Sequence, residues 1–259
     1  MSPMMRVQWV AFKTIVVKEV RRFMRIWQQT LLPPAITMTL YFVIFGNLIG
    51  PRIGQMGGVD YMSFIVPGLI MMSVITNAYG NVASSFFSNK FQRSIEELMV
   101  APVHPGTILA GYVCGGVARG VAVGLIVTLL SLYFTSLTIH SVGVVVGIIV
   151  LSAVLFALGG FINGVHARKF DDVSIIPTFV ITPLTYLGGV FYSISLLPDH
   201  WQLVSQLNPI LYMVNTFRFG ILGVSDVGVW ISFGMMTLFI VILSLYSLRL
   251  LRNGTGMRQ

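Results

Sequence analysis

The sequence predicts an all-α polytopic membrane protein. Three observations carry that: 56% of its 259 residues are apolar, only 9% are charged, and apolar runs of about 20 residues recur along it, each long enough to cross a hydrocarbon core about 30 Å thick. A soluble domain carries roughly 25% charged residues, so this chain cannot clothe a water-facing surface. A soluble globular enzyme is excluded. The predicted order is an amphipathic interfacial helix over residues 1–30, then one compact membrane domain over 31–259. That domain holds six spans, near 31–50, 61–87, 107–134, 142–165, 174–192 and 228–250. A re-entrant helical hairpin on the outer side separates the fifth span from the sixth.

The net charge of +8 comes from 16 Lys and Arg against 8 Asp and Glu. The cations flank spans instead of forming one basic domain, which marks topology and not a nucleic-acid partner. With a cytoplasmic N-terminus, 13 of the 16, from Arg6 to Arg258, fall on the inner side; Arg52 and Arg218 fall outside and Arg119 lies within a span. Both termini are then cytoplasmic, as an even number of spans requires. The first 30 residues lack a small-residue cleavage site after an apolar run and are expected to stay in the mature protein.

In the N-terminal segment Trp9, Phe12, Val16, Val20, Phe23 and Trp27 recur at steps of three or four, one stripe of a helix, with Lys18, Arg21, Arg22 and Arg25 opposite. Such a helix lies in the inner interface, its cations toward anionic lipid or a cytoplasmic partner. Between the second and third spans, Ser94 and Glu97 have capping-box spacing, which predicts a short helix that stops by Pro102. Ile95, Leu98 and Met99 are expected at its exposed tip, where a partner would cover them.

Within the second span Ser73, Asn77, Asn81, Ser84 and Ser88 share one face. Polar side chains at that depth either bond across a helix interface or line a wet path. The third span carries Gly111, Gly115, Gly116, Gly120 and Gly124, and the fourth Gly159, Gly160 and Gly164, ridges that admit a neighbouring helix. Arg119 has two readings: an anchor for an anion or an ion pair, or a side chain near the inner interface of a long helix. Pro177 and Pro183 kink the fifth span, whose Thr178, Thr182, Thr185 and Tyr186 can serve freed carbonyls or border a path. After it, Asp199 is expected to cap a short helix that Asn208-Pro209 ends, and Pro209 starts another running toward Gly220.

No Gly-Lys dipeptide occurs, so the chain has no phosphate-cradling P-loop, and its four histidines never pair at metal-binding helical spacing. All eight acids are expected in loops or at span ends, which disfavours a proton-coupled carrier. Energy for uphill movement would come from elsewhere, and the chain itself is expected to be neither an enzyme nor a cofactor binder.

The segment Arg93-Ser94-Ile95-Glu96-Glu97-Leu98-Met99-Val100-Ala101-Pro102-Val103 resembles the cytoplasmic motif of ABC-2 type permeases. The stretch from Pro183 to Tyr192, with Leu197-Pro198, Leu207-Asn208-Pro209, Tyr212 and Arg218, is similar to that family's C-terminal signature. Ser94-Ile95 stands where many members carry Gly-Thr. The resemblance implies a homodimer of six-span subunits in a bacterial inner membrane, each resting on a separate ATP-binding cassette subunit that drives export. It places ATPase coupling on Arg93, Ser94, Ile95, Glu96, Glu97, Leu98, Met99 and Pro102, and an interface helix on the segment holding Arg21, Arg22 and Arg25. Asn77, Asn81, Ser84, Arg119, Thr178, Thr182 and Tyr186 are then the candidates for the substrate path. Family cargoes range from drugs to lipid-linked polysaccharides; this chain is expected to move an amphipathic small molecule or lipid. A passive channel or a membrane scaffold are the alternatives, and neither explains the helical tip together with the outer hairpin.

Overall fold

The computed structural model describes residues 2–254 and Gly256; Arg258, counted above among the inner cations, lies outside them. Helix α1 (Pro3–Arg25) starts where the Ser2 hydroxyl accepts the Met5 N–H at 3.3 Å, with Pro3 at the first helical position. Ile15, Glu19 and Phe23 are its buried side chains, whereas Trp9 and Trp27 stay exposed. The expected apolar stripe is therefore split between protein and surroundings, because α1 packs along the third span through Gly111 and Gly115, where an added Cβ would sit 2.6 Å from Ile15 and 2.5 Å from Glu19.

The first membrane segment, Trp27–Ile53, is longer than predicted and not a uniform helix. It comprises α2 (Trp27–Thr30), α3 (Leu32–Tyr41), a π-helical stretch Phe42–Ile49 and α4 (Gly50–Ile53). A two-residue ribbon follows, β1 (Gln55–Met56) antiparallel to β2 (Val59–Asp60), turning on Gly57 and Gly58 at positive φ. Nothing in the alternation of the sequence announces strands so short.

Helix α5 (Tyr61–Phe91) is the axis of the molecule. Asp60 caps it, accepting from Met62 N at 3.1 Å. In its most apolar 18-residue window 83% of residues are buried, against 11–39% in the other four long helices, so α5 is surrounded while its neighbours turn one side outward. Its main partners are α7 (Pro105–Ser131) and α8 (Val142–His166), and the glycine ridges explain why. A Cβ at Gly116 would come within 2.6 Å of Val82 and one at Gly120 within 3.0 Å of Ala78, while Gly160 meets the Tyr79 carbonyl. Lys90, 5% exposed, donates to the carbonyls of Val165 (2.6 Å) and Ala167 (2.7 Å), a cation closing the end of α8.

The predicted fifth span is interrupted. Helix α9 (Phe170–Ile176) gives way to a π-helical stretch at Pro177–Ile181, then to α10 (Thr182–Leu187), and the chain turns at Gly188 and Gly189. Side-chain hydroxyls bond to the backbone here, Thr182 to the Pro177 carbonyl at 2.9 Å, which the Thr182 N–H also reaches, and Thr185 to that of Ile181 at 2.7 Å. After a 3₁₀ turn at Ile194–Leu196 comes a helical hairpin, α11 (Asp199–Gln206) and α12 (Pro209–Leu222), then α13 (Val229–Asn253). Asp199 does not cap α11; Pro198 holds that position and Asp199 sits in the first turn, where its charge still favours the helix dipole. Asn208 caps α12 by accepting from Ile210 N at 3.0 Å, and Gly223, in the left-handed region, ends it past Gly220. Among the described residues five helices are long and apolar enough to cross a membrane: Trp27–Ile53, α5, α7, α8 and α13.

Candidate functional site

The helix predicted after the second span exists as α6 (Ser94–Val100), but it is not held by a capping box. Arg93, at φ 59°, reverses the chain directly after α5, so Ser94 lies beside the last turn of that helix. Its hydroxyl donates to the free carbonyl of Asn89 at 3.1 Å instead of accepting a helical amide, and Glu97 is exposed at the rim of the cavity between α1 and α6. Ile95, expected at the tip, is 2% exposed and packs with Ile15 and Tyr112. The outer surface of α6 consists of Glu96, Glu97, Met99 and Val100, the last 88% exposed.

Helix α1 braces this loop at both ends. Lys18 Nζ donates to Asn89 Oδ1 at 2.9 Å, and Asn89 in turn donates to the Tyr112 hydroxyl at 2.8 Å. At the far end Gln8 donates to the Pro102 carbonyl (3.0 Å) and accepts from His104 N (2.9 Å) and Thr107 Oγ1 (2.7 Å). A cavity of about 340 Å³ remains between α1 and α6, lined by Thr14, Ile15, Lys18, Ile95, Leu98 and Tyr112 among others. Three side-chain hydrogen bonds from one glutamine make α1 and the α6 loop a single mechanical unit.

Deeper in, the same helix contributes a buried charge. Glu19 is fully buried between α5 and α7: Ser85 donates to its Oε1 at 2.6 Å and Arg22 to its Oε2 at 3.4 Å. This corrects the expectation that every acid lies in a loop or at a span end. Arg22 continues to α5, donating to Asn81 O and Asn81 Oδ1, both at 2.9 Å. Arg119 reaches no carboxylate; its contact is the Thr30 carbonyl at 3.4 Å, at the end of α2. Buried and without a hydrogen-bond partner are Arg22 Nε, Asn81 Nδ2 and Arg119 Nε.

The polar face of α5 divides in two. Ser73 and Asn77 are buried and turn back onto their own helix, Ser73 donating to the Leu69 carbonyl and Asn77 to that of Ser73, each at 3.0 Å. Asn81 is fully buried against Arg22. The open strip lies one step round: Thr76 is exposed, and Gly80, Ser84 and Ser88 are half-buried, with nothing within 4 Å of a Cβ built at Gly80. Its signal stood in the sequence as an unbroken spacing of four from Thr76 to Ser88. Ser84 bonds the carbonyls of Gly80 (2.7 Å) and Asn81 (3.3 Å), so strip and Arg22 meet at Asn81.

Thr178, Thr182 and Tyr186 do not join this cluster within one chain. Thr178 is exposed, Thr182 serves the π-helical stretch, and Tyr186 enters an aromatic group with Phe191, Phe45 and Tyr41, whose ring centroids lie 4.9–5.9 Å apart. At that same end α12 is locked to the core by Arg218, which is 1% exposed. Its guanidinium stacks 3.8 Å from the Phe64 ring centroid and donates to the carbonyls of Gly189 (2.7 Å) and Phe64 (3.2 Å). The sequence marks Arg218 as an outer cation and as part of the C-terminal signature, and no local spacing announces this clasp.

A polar-lined axial helix, a braced loop helix at one end and a clasped helical hairpin at the other make up this membrane domain. The chain is 62% identical over 255 residues, 98% of its length and 100% of the relative's, to the inner membrane transport permease YadH of Escherichia coli strain K12. It is 24% identical over 219 residues, 83% of each chain, to nodulation protein J of Rhizobium leguminosarum bv. viciae. Residues 10–222 match the family described as ABC-2 type transporter, and with most of its length covered by that match the chain belongs to this family of membrane permeases.

Proposed function

We propose that the chain is the membrane-spanning subunit of an exporter in the bacterial inner membrane, powered by a separate ATP-binding cassette subunit and working as a homodimer. The observation that carries this reading is the brace of α1 on both ends of the α6 loop. A helix of seven residues with an exposed acidic and apolar outer surface, held rigid from below, is built to receive force. The ATPase subunit docks on Glu96, Glu97, Met99 and the turn at Pro102, with Arg93, Ser94, Ile95 and Leu98 fixing α6 in place; closure on ATP pushes α6 and α1 together. Lys18–Asn89 and Arg22–Asn81 hand the push to α5, whose 31 residues span about 46 Å. Arg218 passes it to the hairpin, and the path opens outward.

In this reading the interrupted segment 170–187, about 27 Å long, is the fifth of six crossings, the hairpin is re-entrant on the outer side, and both termini are cytoplasmic. The open strip of α5, with Ser84 at its centre, lines the path. Asn77, Asn81 and Arg119 hold its wall, and Thr178, Thr182 and Tyr186 of a second copy face it. The cargo is an amphipathic small molecule or lipid.

The test is gentle purification from native membranes. The expected result is co-purification of an ATP-binding cassette subunit with ATP hydrolysis; a chain that purifies alone, from membranes containing every candidate ATPase, overturns the proposal.

A further inference from the structure

The face of α1 turned away from Trp9 and Trp27 carries a groove of about 750 Å³ whose lining includes five cations, Lys13, Lys18, Arg21, Arg22 and Arg25, and no carboxylate. Among the described residues the ion pair is Arg22 with Glu19, so the other four cations face the groove with no acid to offset them. Lys18 donates to the neutral Asn89 amide and makes no ion pair with Glu97, which lines the neighbouring cavity, and Arg22 keeps a buried Nε without a partner. Like charges gathered in one concavity repel, and an anion seated among them relieves that repulsion.

We propose that this groove binds the phosphate headgroup of an anionic lipid, at the α6 end of the open strip of α5. Three features select that ligand. Arginine's planar fork matches phosphate oxygens two at a time, and three of the five cations are arginines. Tryptophans exposed by 58% and 51% on the opposite face set α1 at headgroup depth, where lipid phosphate is the abundant anion. Val17 and Ile26 supply an apolar wall for the glycerol and first acyl carbons. Arg22 is shared between the groove and Asn81 of α5, so an occupied groove touches the helix that carries the strip. The proposal leans on the export reading for the fate of the lipid, as cargo at the inner mouth of the path, and not for its binding.

Native mass spectrometry of the full chain in detergent, without nucleotide or ATPase, tests it with added phosphatidylglycerol or phosphatidylcholine. Phosphatidylglycerol should be retained at least tenfold better. The double variant Arg21→Gln with Arg25→Gln should lose at least that factor, Arg21→Lys with Arg25→Lys should keep most of it, and Arg6→Gln, outside the groove, should change nothing. Should the glutamine pair fail to fold, Lys13→Gln with Lys18→Gln must show the same loss. Equal retention of the two lipids overturns the proposal, as does wild-type retention in the groove variants. Displacement by equimolar inorganic phosphate would assign the groove to a free anion, and displacement by the docked ATPase subunit to an acidic protein surface; either also overturns it. Because lipid retention is read on the chain alone, its failure and the failure of the export reading are separate results.

Discussion

Glu19 is tolerable inside the bundle because Ser85 and Arg22 satisfy both carboxylate oxygens, and Arg22 is tolerable because Asn81 offers it two more. Removing Arg22 leaves an uncompensated buried charge. Arg22→Gln should therefore destabilise the chain by somewhat less than the about 3–5 kcal/mol typical of a broken buried pair, since its side chain is 30% exposed and water can enter. Glu19→Gln, which removes the charge and keeps the shape, should cost less, and thermal unfolding in detergent ranks the two. If Glu19→Gln proves the more damaging, the Ser85 bond to Glu19, and not the bonds of Arg22 to Asn81, is the stronger tie of α1 to α5. Periodicity found the faces of α1 but not their bearings. Helical spacing says which residues share a side, and only the neighbours say which side is inward; Gly111 and Gly115 decided that by admitting Ile15 and Glu19. The same limit explains Asn77 and Asn81, which share a face with Ser84 yet point into protein.

Among elements, the glycine ridges were legible because close approach needs small residues wherever the partner helix comes from; the ridge of α8 meets α5, and that of α7 meets α1 at Gly111 and Gly115 and α5 from Gly116 onward. Gly116→Val places its Cβ 2.6 Å from Val82 and should reduce stability by about 1–3 kcal/mol. Gly80→Ala, with open space at its Cβ, should leave stability unchanged or raise it by up to about 1 kcal/mol, as a helix gains from that replacement. Unfolding midpoints of the two variants should thus move in different directions, or the first alone should fall. Arg218→Lys keeps a charge but cannot both stack on Phe64 and reach two carbonyls, so α12 should loosen; faster hydrogen exchange in 209–222 than in α8 is the expected sign. The short ribbon at 55–60 and the π-helical stretches escaped the sequence reading, the first because two-residue strands carry no alternation. For the second, proline marks where a helix gives way, while the shape it takes depends on which carbonyls Thr182 and its neighbours can reach.

For the whole molecule, the composition fixed a membrane domain and the resemblance its family, which the match over residues 10–222 bears out. What composition could not provide is the linkage along α5, because Gln8 with Pro102 and Arg218 with Phe64 join residues 94 and 154 positions apart. If that linkage transmits force, Asn77→Leu with Asn81→Leu should lower transport per ATP hydrolysed while leaving the ATPase subunit bound, as flux and hydrolysis measured side by side in inverted vesicles would show. The most direct measurement concerns the other end: the amount of ATP-binding subunit retained, and its hydrolysis rate, when the chain is purified with and without Glu97→Lys. Reversing this exposed charge on α6 should release the subunit or uncouple its hydrolysis from flux, with the chain still folded and monodisperse. Wild-type retention, hydrolysis and flux in that variant would contradict the assignment of α6 as the place where ATP energy enters.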